Sequence, residues 1–114
     1  MSPAEIPVAA LPPEVTTDRL EALEEDADRQ VGPDGAHLIV DLARTTFICS
    51  GGLGMLVKIS KRLHERGGAL ALARGQPPVV RLLRVVGLEG VLPHFASVEA
   101  ASGFLREGRG ARTA

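Results

Sequence analysis

Short apolar runs alternate with longer amphipathic segments along nearly the whole chain. The runs cover residues 6–11, 37–42, 69–73 and 91–95, and each has the length and composition of a buried strand. The segments between and after them have apolar residues at helical spacing, over about residues 17–31, 50–66, 76–86 and 97–105. The order β-α-β-α-β-α-β-α predicts an α/β fold, with a mostly parallel sheet of about four strands packed against helices.

Glycine and proline residues separate these segments. They occur at Pro12-Pro13, in the stretch from Gly32 to Gly35, at Gly67-Gly68 and at Gly87, where turns and helix ends need them. The last residues are rich in Gly and Arg and have no apolar period. We therefore predict one domain over residues 1–105 and a flexible tail over residues 106–114.

The composition argues against several classes of protein. Aromatic residues make up 3% of the 114 residues, which is poor material for stacking single-stranded nucleic acid. No apolar run approaches the length of about 18 residues that a membrane span needs, and the first residues lack the features of a signal peptide. Cys49 is the single cysteine, so a disulfide within the chain is excluded. These features favour a cytoplasmic protein with no nucleic-acid or membrane partner.

Charge is distributed unevenly along the sequence. Residues 1–34 hold nine acidic and two basic residues, whereas residues 35–114 hold five acidic and eleven basic residues. Because no run of consecutive bases occurs, we interpret this asymmetry as oppositely charged helix faces rather than as a nucleic-acid site. Lys58, Lys61 and Arg62 form such a face on the second helix and could contact a partner. The oligomeric state does not follow from this pattern.

Residues 40–56, VDLARTTFICSGGLGML, form the most informative segment. A buried strand ends there, and a Gly-rich turn opens a helix with Ser50 at the junction. This order places Ser50 at or beside the N-cap, at the carboxyl end of the strands, where partners of α/β sheets tend to bind. A phosphate on Ser50 would be well placed at the positive end of the helix dipole.

Three motifs make the chain resemble the STAS domain of bacterial anti-sigma factor antagonists. That family has a strand of the type LDLSGVTFIDSSGLGVLL, then RGG with a short apolar strand, then a helix of the type VRRLLELTGLDRLLPVF. This chain has VDLARTTFICSGGLGMLVKI, ERGGALALA and VVRLLRVVGLEGVLPHFASVEAA in the same order. The resemblance covers about residues 37–101, and residues 11–15, LPPEV, look like the family's L-x-G-E-L element.

The resemblance implies a STAS-like domain that switches partners and regulates transcription in bacteria. Such a protein binds an anti-sigma factor, commonly a serine-protein kinase, and phosphorylation of the motif serine, here Ser50, releases it. It has no catalytic activity, no cofactor and no metal. The partner-binding residues that the resemblance implies are Thr16, Cys49, Ser50, Gly51, Gly52, Leu53, Gly54 and Val57.

The chain departs from the family pattern beside the serine. The family's Asp before the serine is Cys49 here, and the acid after its G-E-L element is Thr16. Gly51 stands where Ser or Thr is usual. These departures keep a second hypothesis open, in which the chain is a non-phosphorylated STAS-like subunit of a signalling scaffold or transporter assembly.

The residues bear on three further chemistries: a reactive thiol, a phosphate-binding loop and a metal site. Cys49 precedes a helix N-terminus, a setting that favours a reactive thiolate, although a small buried hydrophobic role fits it better. The glycines at residues 51–54 lack the Lys-Ser/Thr of a P-loop. His37, His64 and His94 have no metal-ligand spacing.

Overall fold

Residues 5–107, the part of the chain that the computed structural model describes, contain six strands and four α-helices. A short 3-10 turn, Thr17–Arg19, precedes the first helix. The elements in chain order are β1 (Val8–Ala10), β2 (Glu14–Val15), α1 (Leu20–Val31), β3 (His37–Asp41), β4 (Phe47–Ile48), α2 (Ser50–Glu65), β5 (Ala69–Ala73), α3 (Pro77–Val85), β6 (His94–Phe95) and α4 (Val98–Arg106).

The main sheet has the strand order β1-β3-β5-β6, and every neighbouring pair is parallel. In the longest pair, β3 and β5, the register runs from His37 opposite Ala69 to Asp41 opposite Ala73. All five residues of β5 are buried, which explains its uninterrupted apolar sequence, since parallel strands are covered on both faces. The predicted α/β class with a parallel four-stranded sheet is confirmed.

A second, smaller pair of strands lies beyond the carboxyl ends of β1 and β3. In this pair β2 and β4 are parallel, with Glu14 opposite Phe47 and Val15 opposite Ile48. Val15 and Ile48 are buried in the core, whereas Glu14 and Phe47 are exposed. The sequence did not predict this pair, because strands of two residues show no measurable periodicity.

Aliphatic side chains fill both faces of the main sheet. On one face α1, α2 and α3 pack through a cluster that includes Leu38, Val40, Leu70 and Leu72 of the strands. On the other face α4 packs against Ile39 and the alanines of β5. The small alanine side chains allow a single helix to lie close to the strands, and alternation along β3 sends successive residues to opposite faces.

Ion pairs join the acidic first helix to the second. Glu24 of α1 lies 3.2 Å from Nζ of Lys58 and 3.0 Å from Nη1 of Arg62. Nη2 of Arg62 also pairs with Asp28 at 3.1 Å. The acidic residues of α1 therefore pair with basic residues of α2 within the molecule. Lys58 and Arg62 contact α1 rather than forming a free basic face.

Several observed boundaries differ from the predicted ones. The first strand is confined to Val8–Ala10 and the last to His94–Phe95. Helix α4 continues to Arg106, one residue past the predicted end of the domain. Most of the predicted tail, residues 108–114, lies outside the described residues. Within residues 5–107 every helix is too short or too polar to cross a membrane.

Candidate functional site

Ser50 is the first residue of α2 and is exposed to solvent. The N-cap position belongs to Cys49, whose backbone is extended and whose side chain makes no capping hydrogen bond. Ser50 therefore lies beside the N-cap, one of the two positions that the sequence allowed. The carbonyl of Cys49 accepts hydrogen bonds from the N–H groups of Gly52 at 2.9 Å and Leu53 at 3.2 Å. The Ser50 hydroxyl is therefore not required to start the helix.

Hydrogen bonds from residues 45–47 fix the chain that leads to Ser50. The fully buried Thr45 donates from its hydroxyl to the carbonyls of Leu11 at 3.3 Å and Pro12 at 3.0 Å. The N–H groups of Thr46 and Phe47 both donate to the carbonyl of Pro13, at 2.8 and 3.2 Å. These bonds hold the start of β4 against the chain that precedes β2. A buried hydroxyl such as that of Thr45 is normally hydrogen-bonded, and the carbonyls of Leu11 and Pro12 are its acceptors here.

Two glycines give the first turns of α2 different surroundings. A Cβ atom at Gly52 would lie 2.7 Å from Cγ2 of Ile48 and 2.9 Å from Cγ1 of Val15. At Gly54 a Cβ atom would meet nothing within 4 Å. Gly52 therefore allows α2 to begin in close contact with the β2–β4 pair. Gly54, one turn beyond Ser50, leaves a bare patch of helix backbone at the surface.

The residues just before Ser50 in sequence include an exposed aromatic side chain and a cysteine that contacts a threonine hydroxyl. Phe47 is 51% exposed although it is a large aromatic residue, and it precedes Ser50 by three positions. The hydroxyl of Thr17 donates a long hydrogen bond of 3.9 Å to Sγ of Cys49. The Thr16 hydroxyl donates to the carboxylate of Asp18 and thereby lowers the pKa of that carboxyl. Sequence reasoning missed Phe47, whose only signal was its alternation with the buried Ile48.

The candidate site residues differ in how far their side chains are exposed to solvent. Leu53 is only 8% exposed and belongs to the core cluster, so its side chain is not available to a partner. Val57 is partly buried against the same cluster. Cys49 is half-buried rather than fully buried. The candidate residues with exposed surface beside Ser50 are therefore Gly51 and Gly54, with Thr16 and Cys49 partly covered.

Two of the three histidines accept hydrogen bonds, each from a different part of the main sheet and its turns. Nδ1 of His37 accepts from the N–H of Ala69 at 3.2 Å, and Nε2 of His94 accepts from the N–H of Gly75 at 2.8 Å. Burial lowers the pKa of His94 and favours the neutral ring that can accept this bond. Over residues 5–107, no three His, Cys, Asp or Glu side chains come together in an arrangement that could hold a metal ion.

The fold and the site define a small α/β domain with a parallel sheet and the short β2–β4 pair. Its helix α2 begins with an exposed serine followed by glycines, and the side chain of its N-cap residue makes no capping hydrogen bond. A family model described as the STAS domain matches residues 5–101. The chain belongs to the STAS domain family.

Two relatives and one solved protein show how the chain compares with other family members. It is 30% identical over 95 residues to BtrV of Bordetella bronchiseptica, named as an anti-sigma factor antagonist, covering 83% of this chain and 82% of BtrV. It is 37% identical over 86 residues to a sodium-independent sulfate anion transporter of Bos taurus, covering 75% of this chain and 13% of the transporter.

The solved protein is the anti-sigma factor antagonist SpoIIAA. Its unphosphorylated form matches with a TM-score of 0.74 at 22% identity, covering 94% of this chain and 93% of SpoIIAA. The phosphorylated form of SpoIIAA from Bacillus matches with a TM-score of 0.67 at 19% identity, covering 90% of this chain and 94% of that one. At these identities the match concerns the fold.

Proposed function

We propose that this protein is an anti-sigma factor antagonist that binds its anti-sigma factor through the surface around Ser50. Phosphorylation of Ser50, by an anti-sigma factor that is itself a serine kinase, then releases it. The observation that carries the proposal is the exposed Ser50 in the first turn of α2, at the carboxyl edge of a STAS domain. The similarity to BtrV, over most of both chains, supports the same role.

The surface around Ser50 has the properties of a docking site for a protein. Phe47 provides half-exposed aromatic area, the type of side chain that is enriched at protein interfaces. Gly51 and Gly54 carry no side chains, so a partner's backbone can approach the helix closely. We therefore name Phe47, Ser50, Gly51 and Gly54 as the Ser50 surface and propose that the partner covers it.

A phosphate on Ser50 has opposite effects on the fold and on the complex. Helix α2 has no acidic residue in its first turn, so a dianion there interacts favourably with the helix dipole. With Cys49 in the place of the family's Asp, no carboxylate directly precedes Ser50 to repel it. In a packed interface the same dianion would have to be desolvated, which opposes binding. Phosphorylation is thus expected to leave the domain folded and to dissociate the partner.

A matched pair of aspartate substitutions tests this proposal. The partner is first captured from the host lysate with the tagged protein, identified by mass spectrometry and purified. Ser50→Asp is then expected to weaken its binding by about tenfold or more, since a carboxylate in a packed interface has to be desolvated. Ser97→Asp is the control, because Ser97 is the N-cap of α4 and Asp is an equally good cap. Equal affinities for both variants and wild type would contradict the proposal.

The similarity to the bovine sulfate anion transporter favours a second candidate function. In that alternative the chain is a STAS subunit of a transporter or signalling assembly and is never phosphorylated, in keeping with the loss of acids at Cys49 and Thr16. Capture of a multi-subunit assembly or a membrane transporter, with Ser50 unmodified in cells, would favour it. In either function the chain acts by binding, as a kinase substrate or as a scaffold, and not as an enzyme.

A further inference from the structure

The turn between β5 and α3 is bonded to the corner where the chain leaves β3. Arg74 donates from Nε to Oδ1 of Asp41 at 3.1 Å and from Nη2 to the other carboxylate oxygen. The side-chain amide of Gln76 donates to the carbonyl of Ala43 at 3.0 Å. The Arg74 guanidinium holds the pKa of the Asp41 carboxyl below its usual value, so the pair is charged near neutral pH. Two side chains of this turn therefore hydrogen-bond to Asp41 and Ala43, which lie in the same corner.

The same turn is bonded to the edge strand β6 on its other side. The N–H of Gly75 donates to Nε2 of His94, and a Cβ atom on Gly75 would lie 2.9 Å from that nitrogen. Arg74 has a φ of 62°, the only positive φ of a non-glycine residue over residues 5–107. Because L side chains rarely adopt this conformation, the turn is held in an uncommon geometry by its bonds to both neighbours.

The corner that the turn holds leads directly to Ser50. The N–H of Ala43 donates to Oδ1 of Asp41 at 3.0 Å, and the N–H of Leu42 donates to the carbonyl of Ala73 at 2.8 Å. Residues 42–46 lie outside helices and strands, so their position is set by such individual bonds. From there the chain passes through β4 to Ser50.

We propose that Arg74 and Gln76 are positioning residues that set how the Ser50 surface is presented to its partner. They act by fixing the Asp41–Ala43 corner, from which β4 and the first turn of α2 continue. This inference rests on the proposed function for its consequence in binding. Its structural part concerns the mobility of residues 43–49 and stands without a partner.

Amide hydrogen exchange followed by NMR tests the structural part. Gln76→Ala removes the bond to the Ala43 carbonyl, and Gln30→Ala is the matched control, since Gln30 lies exposed on α1. We expect exchange at Phe47 and Cys49 to rise about two- to tenfold in Gln76→Ala, the factor that loss of one hydrogen bond produces. Exchange at Ile39, within β3, is expected to stay at the wild-type rate.

Binding of the captured anti-sigma factor tests the consequence. Its dissociation constant is expected to rise about two- to tenfold in Gln76→Ala and to stay unchanged in Gln30→Ala. If Gln76→Ala fails to fold, Arg74→Lys replaces it, because lysine keeps the charge but cannot form the two parallel bonds to Asp41.

The two failures are distinguishable by these measurements. Unchanged exchange at residues 43–49, or equal acceleration there and at Ile39, would overturn the inference whatever the partner. If exchange rises at residues 43–49 but not at Ile39, and the variant still binds the anti-sigma factor as tightly as wild type does, the positioning role would be overturned. Selective acceleration in a protein that binds no anti-sigma factor would support the structural part and refute the proposed function.

Discussion

One substitution made at two glycines of α2 should have opposite effects on stability. Gly52→Ala adds a methyl group where Cγ2 of Ile48 and Cγ1 of Val15 leave no room, with both distances below 3 Å. Gly54→Ala adds the same group to an exposed position with open space around it. Both residues lie in the same helix, so the comparison isolates the close contact between α2 and the β2–β4 pair.

The expected change in the free energy of unfolding follows from two opposing effects. Alanine is favoured over glycine within a helix by about 0.5–1 kcal/mol, so Gly54→Ala should stabilise the protein by about that amount. Overpacking costs about 1–3 kcal/mol, since Ile48 and Val15 are both buried and can move only with their strands. Gly52→Ala should therefore lower the free energy of unfolding by about 0.5–2 kcal/mol, and the free energies of the two variants should differ by about 1–3 kcal/mol.

Urea unfolding measures both free energies directly. If unfolding is two-state, the midpoints should move in opposite directions while the slope stays at the wild-type value. A Gly52→Ala variant as stable as Gly54→Ala would show that the start of α2 does not press on the β2–β4 pair, and would refute the reasoning. Gly54→Ala should also weaken partner binding, because its methyl group covers the bare helix surface beyond Ser50.

Three other predictions concern charge and protonation. Ser50→Asp should raise the free energy of unfolding by about 0.3–1 kcal/mol, measured in urea, because an acid in the first turn interacts with the helix dipole; a loss of stability would contradict the helix-start geometry. Arg62→Ala should cost about 1 kcal/mol at low salt and less at about 1 M salt, since its pairs with α1 are partly exposed; a loss independent of salt would point to packing instead. The pKa of His94 is lowered by burial, so the unfolded chain binds the proton more readily and thermal stability should fall as the pH drops below about 6.5. His94→Gln, which keeps an acceptor for Gly75, should flatten that part of the curve, and an unchanged curve would assign the pH dependence to other groups.

The elements with strong periodicity were predictable from the sequence. Strand β5 was predicted at residues 69–73 and occurs there, and the helix after Ser50 was predicted to about residue 66 and ends at Glu65. Strand β5 is apolar throughout and α2 has apolar residues at helical spacing, and glycines lie next to both, so local sequence and tertiary burial agree. The parallel order followed from the alternation of strands with helices.

The details of the site depended on contacts that no local pattern contains. Leu53 and Phe47 are both large and apolar, yet the first is buried and the second is half-exposed. Leu53 packs into the core cluster from α2, whereas Phe47 lies on the exposed side of β4, whose pairing with β2 joins segments more than thirty residues apart in sequence. The bonds from Arg74 and Gln76 to the corner after β3 have the same origin. Such contacts become visible only in the folded chain.

Phosphorylation of Ser50 is the central claim, and intact-mass spectrometry tests it most directly. The protein is incubated with ATP and the purified anti-sigma factor that it captures, and its mass is compared with that of Ser50→Ala treated in the same way. We expect a gain of one phosphate in the wild type and none in Ser50→Ala. No gain with an active kinase that still binds the protein, or an equal gain in Ser50→Ala, would contradict the assignment of Ser50 as the switch.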